Sequence, residues 1–123
     1  MQVDNGVRAA VESTTPLAAN AKYVGETYDT AVAAGTSGTP GIEQLGVSRF
    51  RVFAAADVAG TLAVEQSRDG QVWFQTTSFA IAADFTKGSV LESMVVLRYV
   101  RMTVLNGGSN QTKAEFDSAL VAV

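Results

Sequence analysis

The sequence predicts an all-β fold: an antiparallel, jelly-roll-like β-sandwich of about eight strands with an extended N-terminal arm. Three observations predict it. From residue 17 onward, apolar and polar side chains alternate with a period of two. Turn-forming groups recur at intervals of about ten residues, the spacing of short strands in a sandwich or barrel. Matches to the i, i+3, i+4 spacing of a helix are outnumbered in nearly every window, the alanine-rich stretches at 31–34 and 54–59 excepted, where one helical turn could form. A chain of 123 residues makes one domain, and on size alone it buries about two-thirds of its extended surface, enough for a core without metal or disulfide support.

Residues 1–16 are expected to form the arm and residues 17–123 the sandwich. Residues 7–11 could form a single helical turn, but so short a helix is marginal alone. The preferred reading makes Val3, Val7 and Val11 anchors of an extended arm that docks on a neighbour. Ser13-Thr14-Thr15-Pro16 ends the segment with residues that disfavour helix.

The first strand is expected within 17–28, with Ala19, Ala21 and Tyr23 on one face. Residues 33–46 hold Gly35, Gly38, Pro40, Gly41 and Gly46 and read as a long loop. In 49–55, Phe50, Val52 and Ala54 alternate with Arg49, Arg51 and Phe53, and in 61–67 Leu62 and Val64 alternate with Ala63 and Glu65. Ser67-Arg68-Asp69-Gly70 is a tight-turn signal, because glycine accepts positive φ and aspartate caps its own turn. Strands at 72–77, 78–83 and 90–96 follow. Residues 99–105 set Val100, Met102 and Val104 against Tyr99, Arg101 and Thr103. After the turn at Asn106-Gly107-Gly108, residues 113–123 close the fold with Phe116, Ser118 and Leu120 on one face.

Composition removes whole chemistries. With no Cys there is no thiol nucleophile, disulfide or thiolate metal site, and with no His there is no histidine base or imidazole ligand. A net charge of -3 argues against a nucleic-acid partner. No basic run precedes an apolar segment at the N-terminus, and no apolar stretch is long enough for a membrane helix, so the expectation is a protein made in a cytosol without secretion and without a membrane partner. Asp29, Asp57 and Asp84 would have to converge from separate loops to bind calcium, and Asp69-Gly70 lacks the rest of a calcium loop. Glu65, Asp69, Glu92, Glu115 and Asp117 show no spacing that marks a catalytic carboxylate pair. No cofactor, metal or catalytic residue is expected. The sequon at Asn110-Gln111-Thr112 reads as accidental without a secretion signal.

Candidate partner-binding residues are Val3, Val7, Val11, Arg49, Arg51, Trp73, Arg98 and Arg101. The four arginines form a guanidinium patch if their strands are neighbours; otherwise they pair across strands with Glu65 or Glu115. Trp73 and Phe74 point to opposite faces of a strand, so one is expected in the core and the other exposed or at an interface. Some of Phe53, Trp73, Val100 and Met102 need a cover beyond a single sandwich layer, from an oligomer or from a loop.

The stretch Gly60-Thr-Leu-Ala-Val-Glu-Gln-Ser-Arg-Asp-Gly-Gln-Val-Trp73, then Arg98-Tyr-Val-Arg-Met-Thr-Val-Leu-Asn106 and the strand at 116–120 resemble a family of small bacteriophage structural β-sandwich proteins. Residues 17–26 resemble their opening strand, and the likeness spans 17–123. The S-x-D-G-x-x-W element also occurs in carbohydrate-binding modules, and Tyr99-Val100-Arg101 is similar to discoidin-type domains, whose usual Cys pair is absent here. The resemblance implies a virion component made in the host cytoplasm, on the head or in the tail. The favoured function is a non-enzymatic head decoration or cement protein that binds the major capsid protein and forms a homo-oligomer. A tail or baseplate component and a carbohydrate-binding module using Trp73 for host attachment are the alternatives.

Overall fold

A computed structural model describes residues 7–30 and 48–122. Nine strands are present among them: β1 (Val7–Ser13), β2 (Lys22–Val24), β3 (Tyr28–Asp29), β4 (Ser48–Ala56), β5 (Gly60–Ser67), β6 (Phe74–Ile81), β7 (Ser89–Met94), β8 (Tyr99–Asn106) and β9 (Ala114–Ala122). One sheet has the order β1-β9-β4-β7 and the other β2-β8-β5-β6, with β3 also paired to β8. The strand ladders are antiparallel. Lys22, Tyr23 and Val24 oppose Leu105, Val104 and Thr103, and Tyr28 opposes Val100 further along the same strand. Between them the Gly25 amide donates to the Met102 carbonyl. β2 and β3 are therefore two halves of one interrupted edge strand, and the eight resulting strands have the order of a jelly roll.

The core lies between the sheets. Phe50, Val52, Ala54, Phe116 and Leu120 enter it from one side, and Leu62, Val64, Val100, Met102 and Val104 from the other. This is the alternation the sequence predicts for β4, β8 and β9, and it arises because successive Cβ atoms of a strand point to opposite faces. Tyr28 joins the layers: its ring meets Phe50 edge-on at 5.3 Å, and its hydroxyl lies 2.8 Å from Ser118 Oγ.

The structure corrects several expectations. Residues 7–13, expected within a separate arm, are strand β1, paired with β9 of the same chain from Val7↔Val121 to Val11↔Asp117. Without β1 the edge of β9 would leave amides and carbonyls unpaired, and a β-rich segment of the same chain satisfies them. Val3 and the 33–46 loop lie outside the described residues.

Residues 17–21 are a turn rather than strand, with Asn20 at φ 61°. The buried Asn106 side chain fixes it by donating to the carbonyls of Ala18 and Ser109, both at 2.8 Å. Residues 72–83, expected as two strands, contain the single strand β6, since the ladder to β5 continues on both sides of a bulge at Thr76. The 54–59 stretch stays in β4 through Ala56, so no helical turn forms there. In β5 burial continues without alternation from Leu62 to Ser67. β5 is an inner strand, and its outward Glu65 is covered by Lys22 and Arg101.

Neither Trp73 nor Phe74 is in the core: Trp73 is half-buried and Phe74 is exposed. Val100 and Met102 need no outside cover, being enclosed between the sheets. Phe53 packs against the backbone of Gly88, where any added Cβ would collide with its ring, so a loop covers it.

Candidate functional site

The described side chains present three surfaces. On the outer face of the five-stranded sheet, Arg101 on β8 opposes Glu65 on β5. Its Nε donates to Glu65 Oε1 at 2.9 Å, and Lys22 Nζ lies 3.4 Å from Oε2. The Arg101 guanidinium also sits 3.9 Å from the centroid of the Trp73 ring, a cation–π distance. Arg98 donates twice to Asp29, at 2.9 and 3.0 Å, and this pairing raises the Arg98 pKa.

On the outer face of the other sheet, Arg51 Nε donates to Glu92 Oε2 at 2.6 Å and Arg49 lies 3.7 Å from Oε1. The Arg51 hydrogen bond holds the Glu92 carboxyl below its ordinary range. Val90 and Met94 flank Glu92 on the same strand face and are 67% and 53% exposed, two apolar side chains around an ion-pair cluster.

The third surface is the side of the sandwich where β6 and β7, the edges of their two sheets, lie together. Phe74 and Phe79 are about half exposed there, and Val96 is 70% exposed. An open groove of about 390 Å³ is lined by Gln66, Arg68, Phe74, Thr76, Val96 and Leu97.

The four predicted arginines are thus not one patch. Arg49 and Arg51 are on β4 in one sheet, Arg98 and Arg101 are at β8 in the other, and each has a carboxylate partner. Cross-strand pairing with Glu65 occurs for Arg101, while Glu92 takes the place expected of Glu115. Val7 and Val11 are backbone partners of Val121 and Asp117.

Alternation in 90–94 could have revealed Val90 and Met94, which share a face with charged Glu92. The exposure of Phe74 and Phe79 had no such signal, because it follows from β6 being an edge.

Asp69 and Asp84 serve their own turns, and Asp57 clasps a distant loop. Asp69 Oδ1 accepts from the Gln71 and Val72 amides at 2.8 and 3.0 Å beside Gly70 at φ 78°. Asp84 accepts from the Thr86 amide and hydroxyl, at 3.0 and 2.7 Å. Both carboxyls are held below their usual range by these bonds. Asp57 accepts from the Thr112 hydroxyl and from the amides of Thr112 and Lys113, and its pKa falls to about 2, the Thr112 hydroxyl contributing most. Because the folded pKa lies below the unfolded one, this clasp stabilises the fold above about pH 4 and weakens as pH falls towards 2. In an Asp57→Asn variant, acid unfolding followed by circular dichroism is expected to show a shallower loss of stability across that window than in the parent.

Arg101→Met is expected to alter the emission of the chain's single tryptophan, because the charge over Trp73 is removed. It should also cost about 2 kcal/mol in denaturant unfolding, since Glu65 keeps only Lys22 as its ion-pair partner.

With this geometry in view, comparison with known proteins identifies the family. The family described as the N-terminal domain of the uncharacterised protein YqxG matches residues 1–121, and the chain belongs to it. No curated protein matches the sequence. Among solved structures, the PBSX exported protein XepA is similar with a TM-score of 0.75 and 23% identity, over 94% of this chain and 37% of that one. The chain therefore spans little more than a third of XepA. The PRD1 vertex protein P5 is similar with a TM-score of 0.55 and 12% identity, over 95% and 94% of the two chains. A subunit of disulfide-linked Bacillus endospore appendages gives 0.51 and 9%, over 100% and 96%. At these identities the likeness is one of fold. At that level the resemblance to bacteriophage β-sandwich proteins holds.

Proposed function

We propose that the chain is a non-enzymatic structural protein of a bacteriophage virion, and within that class a head decoration protein that binds the major capsid protein. The supporting observation is the outer face of β4 and β7, where Val90 and Met94 stand exposed around Arg49, Arg51 and Glu92. Exposed apolar side chains on either side of an ion-paired cluster are suited to adhesion to another protein. The fold shared with a vertex protein supports the same reading. The N-terminal segment contributes by extending that sheet on its far side through β1.

Deleting residues 2–15 would remove β1 and expose β9, confounding binding with folding. The test therefore uses Val90→Glu with Met94→Glu, added to shells purified without the chain. Retention on the shell in sedimentation is expected to fall at least about tenfold, the effect of replacing apolar contacts at an interface by charge. Gold-labelled antibody should mark the head of intact particles. Label confined to the tail would replace the decoration reading with the tail one, and unchanged retention of the double variant would reject this face.

A further inference from the structure

We infer that β6 is the edge through which two copies of this chain pair, antiparallel and about a two-fold axis. Among the described residues four strand edges bound the two sheets, and β6 is distinguished among them by chemistry. β1 carries Arg8 and Glu12, the β2–β3 edge carries Lys22 and Asp29, and β7 carries Glu92. From residue 71 to residue 83 there is no charged residue, no proline and no glycine. Charges and prolines are the usual devices that keep an edge strand from pairing with another chain, and β6 lacks them. Because the edge is uncharged, a copy can meet its own image without like-charge repulsion, the condition for an isologous two-fold contact.

The register follows from an irregularity in β6. Leu62 opposes Phe79 and Gln66 opposes Phe74, so both rings lie on the face turned towards the core. A regular strand would put two residues of this spacing on opposite faces. The shift between Val64 and Glu65 leaves Thr76 as an extra residue and restores the match. If Phe74 faces the second copy's Phe79, inward residues meet inward ones throughout, and Gln75 meets Ser78 on the outer side. Each copy's Phe79 then reaches the other copy's groove beside Phe74, Val96 and Leu97. Strand addition satisfies the free amides and carbonyls of both edges, while these pockets set the register.

The inference concerns the isolated chain and stands apart from the capsid reading. Sedimentation velocity of the full chain should show a monomer–dimer equilibrium over about a hundredfold range of concentration. Phe79→Lys should raise the dissociation constant at least tenfold with an unchanged far-ultraviolet spectrum, and Ser78→Lys, on the exposed outer side, should do the same. The double variant Gln75→Cys/Ser78→Cys should oxidise to a covalent dimer. Within one chain those positions lie about 9–10 Å apart, beyond disulfide reach. A chain monomeric at every concentration, or a dimer indifferent to both lysines, would overturn the assignment.

Discussion

Phe50→Ala is expected to lower the free energy of unfolding by about 3–5 kcal/mol, the cost of deleting a phenylalanine that its surroundings cannot refill. Phe50 is completely buried on β4, between Ser93 of β7 and Leu120 of β9. Its ring is one of the contacts through which Tyr28 reaches across from the opposite sheet. Removing it opens a cavity at the point where the layers are joined and leaves the Tyr28–Ser118 hydrogen bond without its packing support. Small domains are stable by about 5–15 kcal/mol in total, so the variant should show a midpoint lower by on the order of 10–20 °C. Thermal unfolding followed by circular dichroism checks it. A shift of only a degree or two would mean that the two sheets do not meet at Phe50.

Gln66→Leu should cost about 3 kcal/mol although the replacement is apolar and of similar size. The Gln66 side chain is 1% exposed and makes four hydrogen bonds. Nε2 donates to Thr76 Oγ1 at 3.1 Å and to the Met94 carbonyl at 3.0 Å, and Oε1 accepts from the Val96 and Leu97 amides at 2.8 and 3.0 Å. Leucine would strand those backbone groups, and the penalty for unpaired buried polar groups exceeds any gain in apolar packing. The loss should be local as well as global: amide exchange at Val96 and Leu97 is expected to accelerate more than exchange at Met102 or Val104. Uniform acceleration would mean that Gln66 supports only the fold as a whole and does not fasten the link between β7 and β8.

These two residues also mark where the sequence could be read. Phe50, Val52 and Ala54 are legible as core because a strand in one layer of a sandwich alternates, and that alternation runs through β9 and, in β4, as far as Ala54. Gln66 was not legible: in an alternating pattern a glutamine reads as solvent-facing, and only the return of the chain at 94–97 makes it a buried anchor. The N-terminal strand was missed for a related reason. Whether a short β-rich segment pairs with its own sheet or lies on a neighbour depends on an edge of β9 about a hundred residues away, which no local pattern reports. The arginines were separated by topology, since the sequence places two near 50 and two near 100 but does not say that these strands belong to different layers. The turn signal at Asp69-Gly70, by contrast, was legible, because its chemistry is local: Ser67 Oγ accepts from the Gly70 amide at 2.8 Å within the same four residues, although the next strand begins at Phe74 rather than at 72.

The proposed role of this jelly roll is adhesion to coat proteins. Quantitative mass spectrometry of density-gradient-purified particles, from cells that make the chain, addresses it directly. A fixed ratio of chain to major capsid protein across the particle peak, retained after a second gradient, is the predicted result. Recovery of the chain only from the particle-free medium would contradict it.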